Sequence, residues 1–244
     1  MGIRREPAGS QIAAELRLDI LFGRLAPGTI VSQEAMCERF SISRMPVRDA
    51  FQQLVHEGFL ERFSGNRLRV IRLNREDLLD MFWLEATVHA LATKRATQRH
   101  VGDPVSFATL RRMQAEMLDC AKSGDVATAS RINRSFHRSI NHLAGSPRLI
   151  STLKTVSMGI QGVFIQEVPE WLSRSIREHE DILRAMEHGD ADQAEQLMFV
   201  HIQGSAIKIA DDLLHLSAGV LTGDGLPGRN EVGVLGDVAA LDRE

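Results

Sequence analysis

The chain has 244 residues, 43% of them hydrophobic, 25% charged and 5% aromatic, with no tyrosine and a formal charge of −3. This is ordinary globular composition, long enough for one large domain or two small ones, and it excludes a chain disordered throughout. No uncharged stretch exceeds twelve residues, Thr155 to Gln166 being as long as any, so no segment reaches the ~18 apolar residues a membrane-spanning helix needs. The first residues lack the apolar core of a signal peptide, and the two cysteines, Cys37 and Cys120, make no disulfide framework. A cytoplasmic protein is therefore expected.

The charge is unevenly divided. Residues 1–74 carry eleven arginines, no lysine and eight acids, a net of +3, whereas residues 75–244 sum to −6. Within 39–72 seven arginines face Asp49, Glu57 and Glu61. A compact basic segment suits a polyanionic partner, although arginines on a solvated helix face give the same count.

Apolar positions Ile12, Leu16, Ile20 and Leu21 recur at helical spacing and predict a first helix over about 10–23, with Gly23 as its C-terminal stop. Leu25-Ala26-Pro27-Gly28 reads as a turn, and Ser32 can cap a second helix with Met36 and Phe40 inward. Ser43 caps a predicted third helix, in which Pro46 falls in the first turn and Val47, Ala50, Phe51, Leu54 and Val55 form the buried stripe before Gly58. Leu60 to Phe63 and Leu68 to Arg72 flank Ser64-Gly65-Asn66-Arg67, a short hairpin with a glycine-containing turn. Three helices and a hairpin make a winged helix-turn-helix, whose third helix lies in the major groove with its N-terminal residues toward base edges.

Arg44, Met45 and Arg48 occupy that first turn. Arginine suits bidentate recognition of guanine or phosphate, so Arg44 and Arg48 are the expected sequence readers; helix-dipole or ion-pair contacts are the plainer alternative. Arg67 and Arg69 on the hairpin would reach an adjacent groove or backbone, or remain solvated edge-strand charges. Gly23-Arg24-Leu25-Ala26-Pro27-Gly28, Ser43-Arg44-Met45-Pro46-Val47-Arg48-Asp49-Ala50-Phe51 and Leu54-Val55-His56-Glu57-Gly58-Phe59-Leu60 resemble, in order, the DNA-binding domain of GntR-family bacterial transcription regulators. The resemblance implies a DNA surface of Ser43, Arg44, Met45, Pro46, Arg48, Gly65, Asn66, Arg67 and Arg69. It also exposes two departures: threonine is usual where Met45 stands, and an Arg-Gly pair is usual in the wing.

Beyond residue 75 the period of 3.6 predicts helices around 77–98, 104–122, 125–143, 147–166, 170–188 and 190–215. Gly102-Asp103-Pro104, Ser123-Gly124-Asp125, Gly145-Ser146-Pro147, Val168-Pro169 and Gly189-Asp190 separate them. Six or seven helices with short loops imply an antiparallel bundle over 75–216. Ser217 to Glu244 has six glycines and a net charge of −3 and is expected to be a flexible tail, or else to pack on a partner subunit.

Inward histidines are the chemical candidates in the bundle. Asn133 and His137 stack on one helix face beside Ile132, Phe136, Ile140 and Leu143; His179 and His201 lie on two further helices. Three such imidazoles can converge on zinc, nickel or iron, but by spacing alone the signal is weak, because a lone inward histidine is more often a hydrogen-bonded core residue. His142 is expected at a pocket rim or on the surface, and His56, His100, His188 and His215 are expected to be exposed.

Asn133-Arg134-Ser135-Phe136-His137-Arg138, the run from Glu178 to Met186, Gly189-Asp190, and His201 twenty-two positions after His179 resemble the FCD effector domain of the FadR subfamily. That resemblance implies a divalent metal, zinc by preference, held by Asn133, His137, His179 and His201, beside an effector pocket including Glu85, His89 and Arg134. Asn133 stands where aspartate is more usual, which makes the site less negative. Glu85 and His89 stand where the family commonly has arginine and glutamate. The effector is then expected to be held mainly by the metal, or to present a cationic or hydrogen-bond-donor group to Glu85; Glu85 paired with a neighbouring base is the alternative.

Together these expectations describe a homodimeric regulator, a repressor by the family's commoner mode, that binds double-stranded operator DNA and an organic or sugar acid. It would be cytoplasmic and associated with the nucleoid when bound. The competing reading is a metal-dependent enzyme using the three histidines, against which no general base with a characteristic motif accompanies them. A dimerisation module without effector is disfavoured by the buried polar cluster.

Overall fold

The computed structural model describes residues 7–65, 67–157 and 169–222, and the chain is mainly helical with one small sheet. In chain order the elements are α1 (Ala8–Leu21), β1 (Ile30–Val31), α2 (Gln33–Phe40), α3 (Arg44–His56), β2 (Leu60–Ser64), β3 (Arg67–Val70), α4 (Arg75–Arg99), α5 (Pro104–Ser123), α6 (Val126–Leu143), α7 (Pro147–Val156), α8 (Pro169–His188) and α9 (Ala191–Thr222). Packing divides the described residues into two compact units, one running through Asp77 and taking in residues from Ala210 onward, the other Leu78–Ile209.

In the first unit α1 begins two residues earlier than the periodicity suggested, with Pro7 at its N-cap. Ile12, Ala13, Leu16, Ile20 and Leu21 are buried together with Val47, Ala50, Phe51 and Leu54 of α3. The two helices approach closely at Gly9, where a Cβ would stand 3.0 Å from Asp49 Cβ and Pro46 O. Arg17 of α1 reaches across to Glu57 just past α3, donating at 2.7–2.9 Å to both carboxylate oxygens. Ser32 caps α2 by accepting from Ala35 N at 3.3 Å. Ser41, in the left-handed region at φ 52°, turns the chain between α2 and α3.

Two details of the stripe differ from expectation. Phe40 and Val55 are only half-buried, because each lies at the rim of its helix's apolar arc. Ser43 sits at the N-cap of α3 in extended conformation, but its side chain makes no capping hydrogen bond. The hairpin forms as expected, and β3 pairs on its other edge with β1, giving an antiparallel sheet in the order β1-β3-β2. Gly65 turns the chain at φ 54°; Asn66 lies outside the described residues.

The starts of α4, α5, α6, α7 and α9 are capped, the last four by residues of the expected separators. Asn74 Oδ1 accepts from Asp77 N (2.9 Å) while Asp77 Oδ2 accepts from Asn74 N (2.8 Å), a reciprocal box at the start of α4. Asp103, Asp125, Ser146 and Asp190 accept backbone N–H bonds at the starts of α5, α6, α7 and α9. Gly124 ends α5 in the left-handed region. The core joins Phe107 and Leu110 of α5, Phe136 and Ile140 of α6, Ile182, Leu183 and Met186 of α8, and Met198 and Ile202 of α9.

α7 ends at Val156; the remainder of the helix expected to reach 166 falls largely on residues outside the described ones, as does Val168. α9 continues to Thr222, six residues into the segment expected as tail, and positions 223–244 are outside the described residues. Among the described residues no helix is long and apolar enough to cross a membrane.

Candidate functional site

α3 is built to present one face. At 100° per residue, Val47, Ala50, Phe51 and Leu54 point inward and are buried, while Arg44, Met45, Arg48 and Gln52 fall within about 100° of arc outside that stripe and are exposed. The first N–H groups of the helix have no intrahelical partner, and the uncommitted Ser43 hydroxyl stands beside them. Arg44 has a long ion pair with Glu34 (3.8 Å), its side chain 76% exposed, too weak to hold it from another partner. Gln52 was not singled out from the sequence; its position on the outward arc was the available signal.

The wing is less uniform. Arg67 and Gly65 are exposed. Arg69, by contrast, is half-buried, pairs with Glu61 at 2.6 Å and lies over the Phe63 ring at 5.1 Å, so its charge is already partnered within the sheet.

In the helical unit α6, α8 and α9 bring three imidazoles together. His179 Nε2 lies 3.2 Å from His137 Nε2 and 3.1 Å from His201 Nε2, and the third side of the triangle is 3.3 Å. All three residues are buried. Each imidazole nitrogen has a single in-plane direction, carrying either a proton or a lone pair, so three mutually adjacent Nε2 atoms cannot satisfy one another by N–H···N bonds. Nitrogens at about 2.0–2.1 Å from a shared cation would lie about 3.3 Å apart at tetrahedral angles and about 2.9 Å apart at octahedral ones. The observed triangle fits that range.

Protonation favours the same use. Burial, followed by the charge of neighbouring imidazoles, holds His137 and His179 well below the ordinary histidine value, and burial pushes His89 down to about 4. His201 Nδ1 lies 2.7 Å from Glu178 Oε2, which places a proton on Nδ1, so that the neutral ring would offer its lone pair at Nε2. Burial draws the Glu178 carboxyl upward, but bonds and charge from His201 and Arg174 outweigh it and keep the group below its ordinary value. Arg174 Nε donates to Glu178 Oε1 at 2.7 Å. Phe136 stacks on His179 at 4.3 Å between ring centroids, limiting its ring rotation.

Asn133, one turn before His137, is 3% exposed, and its carbonyl oxygen is buried without a hydrogen-bond partner among the described residues. An orphaned acceptor costs stability there unless a donor or cation meets it. Together with the triangle it fits a divalent ion.

The residues expected around an effector are placed as follows. Glu85 and His89, one turn apart on α4, are both buried, with Glu85 Oε1 3.8 Å from His89 Nε2 and accepting from Ser157 Oγ at 2.7 Å. His89 is 5.5 Å from His137 by ring centroids, which brings it beside the triad. Arg134 is half-buried and donates to Ser130 Oγ at 3.1 Å. His56, His142 and His188 are exposed, whereas His100, in the loop between α4 and α5, is half-buried, hydrogen-bonded to Ser106 Oγ and Leu143 O.

Known proteins match both halves of the chain. The family model described as bacterial regulatory proteins, gntR family, matches residues 8–70, and the FCD domain model matches residues 80–204. The HTH-type transcriptional repressor RspR of Escherichia coli (strain K12) is 22% identical over 203 residues, 81% of this chain and 87% of that protein. The Nta operon transcriptional regulator of Aminobacter aminovorans is 24% identical over 200 residues, 80% of this chain and 90% of that one. Among solved structures, E. coli McbR/YncC matches with a TM-score of 0.63 at 21% identity over 85% of this chain and 98% of its own, a likeness of fold. Family and relatives are transcription regulators rather than enzymes. The chain belongs to the FCD-domain subfamily of the GntR family of bacterial transcription regulators.

Proposed function

We infer that the protein is a homodimeric cytoplasmic repressor whose affinity for double-stranded operator DNA is changed by a small carboxylate effector bound beside a divalent metal in the helical unit. The observation that carries this reading is the convergence of three buried Nε2 atoms within 3.3 Å of one another. A buried cluster of this kind destabilises a protein that has no use for it.

On the DNA side, Ser43 and the free N–H groups at the start of α3 are suited to a phosphate, Arg44 and Arg48 to a guanine edge or phosphate, and Gly65 and Arg67 to the neighbouring backbone. Two copies related by a two-fold axis would read a pseudo-palindromic site. On the sensor side His137, His179 and His201 would hold the ion, zinc by preference, with Asn133 offering a carbonyl oxygen. Glu178 fixes the His201 tautomer, Arg174 fixes Glu178, and Phe136 orients His179. When bound, the ion would supply the positive charge that holds the effector carboxylate.

Glu85 is engaged by Ser157 and lies beside His89, so an acidic effector gains no cation at this place and depends on the ion instead. Differential affinity of the effector for two arrangements of the dimer would then shift operator occupancy. A thermal-shift screen of organic, amino and sugar acids, with and without chelator, tests this: a hit should raise the melting temperature only in metal-loaded protein and should weaken the operator complex. Stabilisation that survives complete metal removal would overturn it. A Glu85→Arg variant is expected to broaden binding toward acids; an unchanged ligand profile would exclude a role for Glu85 in selection.

A further inference from the structure

Met45 is the one residue of the outward α3 face that has no polar chemistry to offer. It is 57% exposed in the first turn of the helix, flanked on the same arc by exposed Arg44 and Arg48, whereas Val47 behind it is completely buried. Nothing in the fold needs it there. A thioether side chain makes poor contacts with phosphate oxygens and with the donor and acceptor atoms of base edges, and leaving it in water forgoes the stabilisation it would gain by burial. The major groove contains one apolar group, the C5 methyl of thymine. We propose that Met45 is a specificity-determining residue that packs on a thymine methyl in each operator half-site, next to the base or phosphate met by Arg48.

The inference rests on the operator-binding reading above and adds to it a base identity. A straight, unbranched side chain with three rotatable bonds can follow the methyl without disturbing the backbone, and the half-buried Pro46 that follows it pre-sets the helical turn. An operator position carrying thymine would therefore be discriminated by shape and desolvation, while Arg44 and Arg48 supply the hydrogen bonds.

The test uses the full-length protein and duplexes it selects from a random pool. Each thymine of the selected half-site is replaced singly by deoxyuridine, which differs only by the methyl, and binding is measured for wild type, Met45→Ala and Met45→Gln. Wild type should lose about three- to fourfold in affinity at one thymine per half-site, the effect of one buried methyl, and both variants should bind thymine and deoxyuridine equally there. Melting temperatures of the variants should match wild type, because the side chain is exposed. Three results would overturn the proposal: a selected half-site without thymine, no deoxyuridine effect in wild type, or the same effect in Met45→Ala. Failure to select any DNA would remove the operator reading with it, whereas selection without a methyl effect would remove this inference alone.

Discussion

Glu178 touches no candidate cation, yet its removal should be felt in metal affinity. Its carboxylate stands 2.7 Å from His201 Nδ1, the length of a charge-assisted hydrogen bond, and it selects the tautomer with its lone pair on Nε2 and fixes the orientation of the ring. Loss of such a partner costs about 10–100-fold in metal affinity, or about 1.4–2.8 kcal/mol. Glu178→Gln keeps an oxygen that can accept from Nδ1–H and removes the charge, so it belongs at the tenfold end; Glu178→Ala removes both and belongs near 100-fold. Arg174→Ala, which releases a partly exposed ion pair, should lose less than either. A competitive zinc titration against a chromophoric chelator, on variants shown to be folded by circular dichroism, reads these values. Binding within twofold of wild type in Glu178→Ala would refute the assignment of the carboxylate–histidine pair, and a flat titration in wild type would refute the site itself.

Acid should loosen the metal-free protein in a defined window. His89 has a folded value near 4 against 6.5 in the unfolded chain, so the unfolded state takes up the proton first: stability is undiminished above pH 6.5 and falls as pH drops from 6.5 toward 4. His89 alone accounts for about 3 kcal/mol of that loss, with His137 and His179 acting in the same direction; urea midpoints that do not change across this range would contradict the burial argument. Arg17→Leu leaves the Glu57 carboxylate buried with the Gln53 amide as donor in place of a cation, at a cost of about 3 kcal/mol by urea unfolding, and a loss under about 1 kcal/mol would show the pair to be no more than a surface contact. Asn133→Asp should tighten metal binding by adding a negative charge to the site, and an unchanged or weaker affinity in the chelator titration would remove Asn133 from the ligand set.

The helical plan was legible because its signals are local. Periodic apolar stripes placed α3, α4, α6 and α8, and Asp103, Asp125, Ser146 and Asp190, read only as parts of separators, cap the helices that follow, since a side chain accepting from an N–H two or three residues on depends on nothing distant. β1 escaped notice: Ile30-Val31 is too short to show a period of two, and its partner β3 lies almost forty residues away. The end of α9 was misplaced because the glycine content of 217–244 was taken to exclude helix from its start, although only Gly219 falls within 217–222 and one glycine costs only about 1 kcal/mol in a helix.

The three histidines could be placed on inward faces from spacing, but their convergence is a property of how α6, α8 and α9 pack. Glu178 shows the limit most clearly. It precedes His179 and so points about 100° away on the helix, and only the position of His201 on another element gives it a task. Arg69 is similar: its pairing with Glu61 on the neighbouring strand and its place over the Phe63 ring could not be read from its residue type.

The most direct test of the whole account is the affinity of full-length protein for the DNA upstream of its own reading frame, measured by fluorescence anisotropy across a salt series. The account predicts a specific complex whose log K falls linearly with log salt, by a factor of about 10³ or more between 50 and 200 mM if six or more phosphates are met. An Arg44→Ala, Arg48→Ala double variant should bind more weakly with a shallower slope. No specific complex, or one whose affinity is indifferent to salt and to these two arginines, would contradict it.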